Sequence, residues 1–395
     1  MGGMLQSFRV VRRGISASAA LARMPVVVAA AGLGGVACRH GATPPDPEPV
    51  VVEWYHPDQR SATNAPYVDS ELAVFGTLRS PAVVALDATT GALRWGTSLQ
   101  VSGLPSVPIP FDGSPVGHGG LIIVPAGDVF ALDRTTGHVA WIFTRPDDLP
   151  GSGKLLVEGG TVYAVGKRLY ALDAATGALK WSRDLDDRAA SPVAAGGGGI
   201  IVLSRALVAG TDVLGVGHVH LIDAFTGATR WSIPVGASGA PVSGPTAIPA
   251  VDSGLVLVTT ADGRVIAISV ATGSQVWTRD LANRLDGGVI AMNGLAIAGG
   301  ISGRLEAFNL TDGDPRWSKV FGTGGSIVNR IGRADTLALV VSGRLEAYSR
   351  LGEVVWAHGG VGFGQPVYDT PAIEQNGLIY VGGESGFYAL KVRKP

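Results

Sequence analysis

Short apolar runs separated by turn-forming residues fill the chain from residue 50 onward. A clear example is Lys154–Val157 followed by Thr161–Val165, with Gly159-Gly160 between them and a third run beginning near Leu169. Short runs rich in Val, Ile, Leu and Tyr, bounded by glycine pairs, predict antiparallel β-strands joined by tight hairpins. We therefore expect an all-β chain built from many short strands.

One hairpin recurs along the chain with a fixed internal spacing. Its reference copy, Ala85–Trp95, reads Ala-Leu-Asp-Ala-Thr-Thr-Gly-Ala-Leu-Arg-Trp. The aspartate can accept hydrogen bonds from backbone amides ahead of it, and the glycine supplies the positive φ that returns the chain. In every copy the tryptophan follows the turn glycine by four residues, and these tryptophans are Trp95, Trp141, Trp181, Trp231, Trp277, Trp317 and Trp356. Each ring is expected to fill the space between adjacent sheets, with its indole N–H bonded to a neighbouring backbone group.

The eight tryptophans of the chain count the repeats, because Trp54 precedes the series at the same interval of about 40 to 50 residues. Four short strands in a repeat of this length form one blade of a β-propeller. Val50–Trp54 has no hairpin before it, whereas Asn376–Leu390 has three strand-like parts and no tryptophan after it. Together the two segments supply the four strands of one blade. The prediction is an eight-bladed β-propeller of four-stranded blades over residues 50–392, with the last blade closed by the N-terminal strand, which removes open sheet edges.

Composition agrees with this fold and argues against nucleic acid as a partner. The chain has 58 glycines and only 16 % charged residues, as expected for many tight turns between apolar strands. Lys plus Arg (31) almost balance Asp plus Glu (32), so no basic field attracts phosphate backbones. After residue 40 no apolar run approaches the roughly 20 residues that span a bilayer, so membrane contact is expected through a lipid anchor only.

Residues 1–38 have the features of an export signal. Arg12 and Arg13 precede the apolar stretch Met24–Ala37, which has the length of a signal-peptide core and is too short for a spanning helix. The paired arginines leave twin-arginine export open as a route. The stretch ends at Cys38, the single cysteine of the chain. A lone cysteine cannot form an intrachain disulfide, so covalent chemistry at its own thiol is the simple interpretation.

The sequence around Cys38 resembles a bacterial lipobox, in which the cysteine carries lipid. It departs from that pattern at Gly35, where lipoboxes usually have leucine. Our interpretation is a lipobox ending at Cys38, and the alternative is an ordinary signal cleaved after Ala37. Residues 39–49 are rich in proline and offer little to bury, so we interpret them as a tether.

The recurring hairpin resembles the PQQ-like repeat, whose pattern is Ala-x-Asp-x-x-Thr-Gly-x-x-x-Trp, and the resemblance covers residues 50–392. It implies a propeller fold and two possible branches. One branch is the quinoprotein dehydrogenases, and the other is the BamB-type lipoprotein of the outer-membrane β-barrel assembly machinery. The fold alone does not choose between them.

Quinoprotein chemistry finds little support in the residues. That branch implies a quinone and a Ca²⁺ site, and its alcohol dehydrogenases have two adjacent cysteines, whereas Cys38 is the single cysteine here. No Cys-x-x-Cys-His haem motif is present either. His218 and His220 would point to one face of a strand, but no third metal ligand is evident. We predict no enzymatic activity, no cofactor and no metal, with a quinoprotein oxidoreductase as the less favoured alternative.

The BamB resemblance implies a lipid-anchored scaffold on the periplasmic face of the outer membrane, with the barrel subunit of the assembly machinery as partner. The alternative is another PQQ-like envelope protein that binds a ligand, a surface polymer or an unknown partner. Two polar loops follow tryptophan strands of different blades, and we expect them on the same side of the ring, either as solvated loops or as partner contacts. The candidate contact residues are Asp186, Asp187 and Arg188 in the first loop and Arg284 and Asp286 in the second.

Overall fold

The structure is a computed structural model, and its described residues all lie between Val50 and Arg393. They are residues 50–57, 64–77, 82–99, 113–145, 154–166, 168–185, 188–196, 199–207, 214–235, 249–260, 263–281, 288–300, 303–320, 330–360, 367–368 and 370–393. Every regular element in this part of the chain is a β-strand, and the strands form eight antiparallel four-stranded sheets. The predicted all-β, eight-bladed propeller is confirmed.

Each blade is a meander of four strands that follow one another along the chain. Strand β1 (Val50–Pro57) comes first and belongs to the last blade. Blade 1 contains β2 (Tyr67–Val68), β3 (Leu72–Gly76), β4 (Val83–Asp87) and β5 (Leu93–Thr97). Blade 2 contains β6 (Val116–His118), β7 (Leu121–Ala126), β8 (Asp128–Asp133) and β9 (Val139–Phe143). Blade 3 contains β10 (Leu155–Glu158), β11 (Thr161–Val165), β12 (Arg168–Asp173) and β13 (Leu179–Asp184).

The remaining blades follow the same order. Blade 4 contains β14 (Arg188–Gly196), β15 (Gly199–Leu207), β16 (Leu214–Asp223) and β17 (Thr229–Val235). Blade 5 contains β18 (Ala250–Asp252), β19 (Leu255–Thr259), β20 (Arg264–Ser269) and β21 (Gln275–Asp280). Blade 6 contains β22 (Val289–Met292), β23 (Leu295–Gly299), β24 (Arg304–Asn309) and β25 (Pro315–Val320). Blade 7 contains β26 (Arg330–Ala334), β27 (Leu337–Val341), β28 (Arg344–Tyr348) and β29 (Val354–Gly359). Blade 8 contains β30 (Ile373–Gln375), β31 (Leu378–Gly383), β32 (Gly386–Val392) and β1.

The ring closes through β1, as the sequence predicts. Strand β1 pairs antiparallel with β32, from Val50 opposite Val392 to Pro57 opposite Gly386. It occupies the place that the fourth strand has in the other blades. The outermost strand of blade 8 therefore comes from the opposite end of the chain to its three neighbours.

Because successive strands alternate in direction, the propeller has two different faces. The turns between first and second strands and between third and fourth strands lie on one face, which we call the turn face. The turns between second and third strands and the connections between blades lie on the other, which we call the loop face. The first strands of neighbouring blades lie against one another, so they are innermost.

The hydrophobic core lies between blades. The buried side chains form eight clusters, each made of residues from two neighbouring blades. The seam between blades 7 and 8, for example, buries Val50, Leu339, Trp356 and Leu390 together. Every blade thus shares its buried side chains with both neighbours.

Candidate functional site

Most of the predicted contact residues lie outside the described residues. This holds for Asp186, Asp187, Arg284 and Asp286, and also for Cys38. The strands that lead into the two loops are β13 and β21, which are both fourth strands and therefore end at the loop face. The loops themselves stay predictions.

Arg188 is described as the first residue of β14, although its side chain is not. It stands directly opposite Arg205 of β15 in the strand register.

Blade 4 extends further toward the loop face than its neighbours. Strand β16 has 10 residues and β15 has 9, whereas the second and third strands of blade 3 have 5 and 6. The β15–β16 pairing continues to Leu207 opposite Leu214, beyond the last pair with β17, which is Gly217 opposite Val235. Strands β15 and β16 of blade 4 therefore extend further than β17, with the start of β14 beside them, on the face where the predicted loops begin.

The turn face is built from the recurring aspartate turns. In blade 1, Asp87 Oδ1 accepts hydrogen bonds from the backbone N–H of Thr89 and of Thr90, at 3.1 and 2.9 Å. Arg94 of the fourth strand pairs with the other carboxylate oxygen. The hydrogen bond from Arg94, with those from the threonines, holds the pKa of Asp87 well below its usual range. Arg230 has the same effect on the pKa of Asp223 in blade 4. The hydrogen bonds of these carboxylates therefore stabilise the turns.

A tryptophan latch joins neighbouring blades at seven of the eight seams. The turn glycine has a positive φ, +70° at Gly91, and the tryptophan ring of the preceding blade lies flat against it. A Cβ at Gly91 would lie 2.6 Å from Trp54 Cδ2, so glycine is required for both reasons. The indole N–H donates to a carbonyl of the same turn, and the six bonds are Trp54 to Ala88, Trp95 to Arg134, Trp181 to Ala224, Trp231 to Val270, Trp277 to Leu310 and Trp317 to Arg350.

Two tryptophans depart from this arrangement. Among the described residues, no acceptor lies within hydrogen-bond distance of the buried indole N–H of Trp141 or Trp356. For Trp356 the reason is the ring closure, because blade 8 has no turn between its third and fourth strands. The predicted backbone bond is therefore confirmed for five of the seven hairpin copies, and Trp54 makes the same bond.

A polar network between blades 1 and 2 was not foreseen from the sequence. Arg134 Nη2 lies 2.8 Å from Asp69 Oδ2, and its Nη1 lies 2.7 Å from Glu71 Oε2. Tyr67 donates its hydroxyl to the same aspartate at 3.0 Å, and burial together with that carboxylate raises the pKa of Tyr67 to about 12. Arg134 occupies the turn position that is alanine in blades 1, 3 and 4, so the network fastens one pair of blades.

The histidine pair on β16 lies within blade 4, beside β15. His218 and His220 lie on one face of the strand with ring centroids 5.9 Å apart, as predicted. His220 is buried, and its Nε2 lies 2.7 Å from Ser204 Oγ. Across the described part of the chain, no group of three or more His, Cys, Asp or Glu residues is placed to hold a metal ion. His220 is thus held by a contact inside its own blade.

Eight four-stranded blades, latched at seven of their eight seams by a tryptophan and a turn glycine, define a β-propeller of the PQQ-like repeat class. Comparison with known families specifies it further. The family model described as outer membrane protein assembly factor BamB matches residues 48–195 and 165–361 of this chain. These matches cover more than half of its length, so the chain belongs to the BamB family.

The most similar proteins include one curated relative and several solved structures. The outer membrane protein assembly factor BamB of Burkholderia pseudomallei is 32 % identical over 154 residues, which are 34 % of this chain and 39 % of that protein. The chain thus matches less than half the length of this relative. The crystal structure of BamB from Moraxella catarrhalis has a TM-score of 0.64 at 15 % identity, covering 86 % of this chain and 97 % of that one.

An enzyme of the same fold is equally similar in structure. A quinohemoprotein alcohol dehydrogenase from Pseudomonas putida HK5 has a TM-score of 0.64 at 14 % identity, covering 88 % of this chain and 77 % of the enzyme. At such identities the likeness shows the fold alone. As for membrane crossing, the described residues contain no helix of the length and apolarity that a span requires.

Proposed function

We propose that this chain is a non-enzymatic scaffold of the outer membrane, lipid-anchored on the periplasmic face, which assists the assembly of β-barrel proteins. The observation that carries the proposal is the match of the BamB family model across most of a closed eight-bladed propeller. The relative from Burkholderia pseudomallei bears the same name, outer membrane protein assembly factor. The repeated aspartates, which could have been catalytic groups, are engaged in turns.

The partner surface is proposed on the loop face around blade 4. Its long strands β15 and β16 extend further there than β17, beside the start of β14. Arg188 and Arg205 face each other in the register at this edge, and the loop that precedes them carries Asp186 and Asp187. Such a mixture of charge beside an extended strand pair suits a small domain that adds its own strand edge. The barrel subunit of the assembly machinery is the proposed partner.

Charge reversal tests the partner surface. The double variant Asp187→Arg, Arg284→Glu is expected to weaken co-purification with the barrel subunit, while its stability changes by no more than about 0.5 kcal/mol, as for exposed sites. Arg316→Glu is the matched control, because Arg316 is exposed on β25 near the turn face and should leave co-purification unchanged. Absence of any association with the machinery would refute the proposal. So would stoichiometric uptake of the quinone with Ca²⁺ and dye-linked alcohol oxidation, which would establish an enzyme instead.

The anchor is tested separately at Cys38. Cys38→Ala is expected to release the protein from membranes and to abolish labelling with a fatty-acid analogue, because the thiol is the proposed attachment point. Fractionation of solubilised and washed envelopes measures the first effect, and in-gel fluorescence measures the second. A wild-type chain that fractionates with the periplasm and takes up no label would show that the lipobox interpretation is wrong.

A further inference from the structure

Blades 6 and 7 contain the same hexapeptide where their third strands begin. Residues 302–307 and 342–347 both read Ser-Gly-Arg-Leu-Glu-Ala. Arg304 is the first residue of β24, and Arg344 is the first residue of β28. Third strands begin at the turn that joins them to second strands, so both arginines lie at the loop face. The recurring aspartate turn lies at the other end of these strands and does not account for the hexapeptide.

A glutamate with little exposure lies behind each arginine. Arg304 Nε is 3.4 Å from Glu306 Oε1, and Arg344 Nε is 3.1 Å from Glu346 Oε1. The arginine side chains are 43 % and 47 % exposed, whereas those of the glutamates are 16 % and 11 % exposed. Tyr348 donates its hydroxyl to the other oxygen of Glu346. Neither guanidinium makes a hydrogen bond to a described residue through its Nη atoms, so these donors remain available.

The two arginines lie at the loop-face ends of neighbouring seams. Side chains two residues apart share one face of a strand. On β24 the face that carries Arg304 also carries Phe308, which belongs to the buried cluster between blades 5 and 6. On β28 the face that carries Arg344 also carries Tyr348, which belongs to the cluster between blades 6 and 7. The same arrangement is thus repeated one blade further along the ring.

Other blades show that the fold does not require the glutamates. Their position, directly before the residue opposite the tryptophan, is Tyr170 in blade 3 and Ile266 in blade 5. Blade 3 also begins its third strand with arginine, but Arg168 pairs at 3.7 Å with Asp184, which is 62 % exposed. A carboxylate is costly to place between sheets, and an exposed ion pair adds little stability. The distinctive consequence of the two glutamates is therefore the orientation of two guanidinium groups.

We propose that Arg304 and Arg344 bind the side-chain carboxylates of an acidic segment in a partner protein, and we call them the paired-arginine site. A guanidinium binds a carboxylate through two parallel hydrogen bonds. Val320, directly opposite Arg304 in the register and 68 % exposed, offers an apolar contact beside the first guanidinium. The site is separate from the proposed surface around blade 4. It adds a second contact on the loop face and does not depend on which protein binds at blade 4.

The charge of the site favours separate carboxylates over a phosphate-rich surface. Each arginine is offset by its own glutamate, so the two pairs together carry no net charge. Phosphate-rich polymers and membranes are attracted by a net positive field, which these pairs do not supply. Recognition therefore depends on the direction of the guanidinium hydrogen bonds at short range. An acidic protein segment that presents one carboxylate to each seam meets this requirement.

Peptide binding to the full chain tests the site by fluorescence anisotropy. The probe is fluorescein-labelled oligoglutamate, and oligoglutamine is the uncharged comparison. Replacing Arg304 and Arg344 together with Gln should weaken oligoglutamate binding at least about tenfold, because two charge-assisted contacts are lost. Replacing both with Lys keeps the charge but removes the planar fork, and should weaken binding at least about threefold. The matched control is Arg168→Gln, at the same strand position of blade 3, which should change the affinity by less than about twofold.

Three results would overturn the paired-arginine site. They are equal affinity of the wild-type chain and the double Gln variant, no binding of oligoglutamate at about 1 mM, and tighter binding of inorganic polyphosphate that the same variant abolishes. The last result would make the site one for phosphate. The variants should melt like the wild-type chain, since both arginines are exposed. They leave blade 4 unchanged, so loss of co-purification with the barrel subunit would count against the proposed function and not against this site.

Discussion

Blade 8 differs from the other seven blades in how its outer strand is held. In blades 1 to 7 a short turn connects the third and fourth strands, whereas β32 and β1 of blade 8 are not joined. Blade 8 compensates with a fourth strand of eight residues and with aromatic contacts. The ring centroids of Trp54 and Tyr380 lie 5.9 Å apart, and those of Tyr55 and Tyr388 lie 4.8 Å apart. The comparison shows that ring closure here depends on side-chain packing and ladder bonds instead of a covalent turn.

Removing β1 should cause the largest loss of stability. A chain that starts at Pro57 loses the ladder with β32 and the buried ring of Trp54, which alone accounts for about 3–5 kcal/mol. It also exposes an open edge on β32. We expect a loss of several kcal/mol and a much lower melting temperature by circular dichroism. A chain that starts at Val50 is the control and should melt like the full chain. Unchanged melting of the shorter chain would refute closure through β1.

Adding a methyl group at the turn glycine of a latch should cause the next largest loss of stability. In Gly91→Ala the new Cβ would meet the ring of Trp54 and push β1, which no turn retains, away from blade 1. Gly377→Ala is the control, because Gly377 has a similar positive φ of +76° and no atom within 4 Å of its Cβ position. Both variants incur the same backbone strain, so their difference measures the collision. Urea unfolding should show Gly91→Ala as less stable than the control by about 1–3 kcal/mol. Equal losses would mean that the ring moves aside freely.

The sequence predicts the fold well because each repeat carries its own local chemistry. Asp87, Gly91 and Trp95 determine one hairpin, and seven copies with one spacing determine the blades and the closing strand. Contacts between blades were harder to foresee. The collision at Gly91 and the network of Arg134 with Asp69 join residues far apart in sequence, and they appear only when two blades are placed side by side.

The candidate site could be predicted less fully than the fold. Charged loops such as the one around Asp187 follow no period, so the sequence indicates their face but not their contacts. The extension of blade 4, in contrast, could have been predicted from the spacing of the tryptophans. Trp181 and Trp231 are separated by the longest interval in the tryptophan series, and the additional residues lengthen β15 and β16.

The smallest difference in stability is expected between substitutions of two equally buried tryptophans. One of them packs against the turn of the next blade, and the other lies at the seam between blades 7 and 8, where that turn is missing. Trp277 is 5 % exposed and donates its indole N–H to Leu310 O at 2.9 Å, whereas Trp356 is 4 % exposed and has no acceptor among the described residues. Replacing either with Phe removes similar ring area. Trp277→Phe also leaves a carbonyl without its partner, while Trp356→Phe removes a buried donor that was itself unpaired. We expect Trp277→Phe to be more destabilising by about 1 kcal/mol in urea unfolding. Equal destabilisation would show that the indole N–H of Trp356 has an acceptor in solution and that the seam is latched like the other blades.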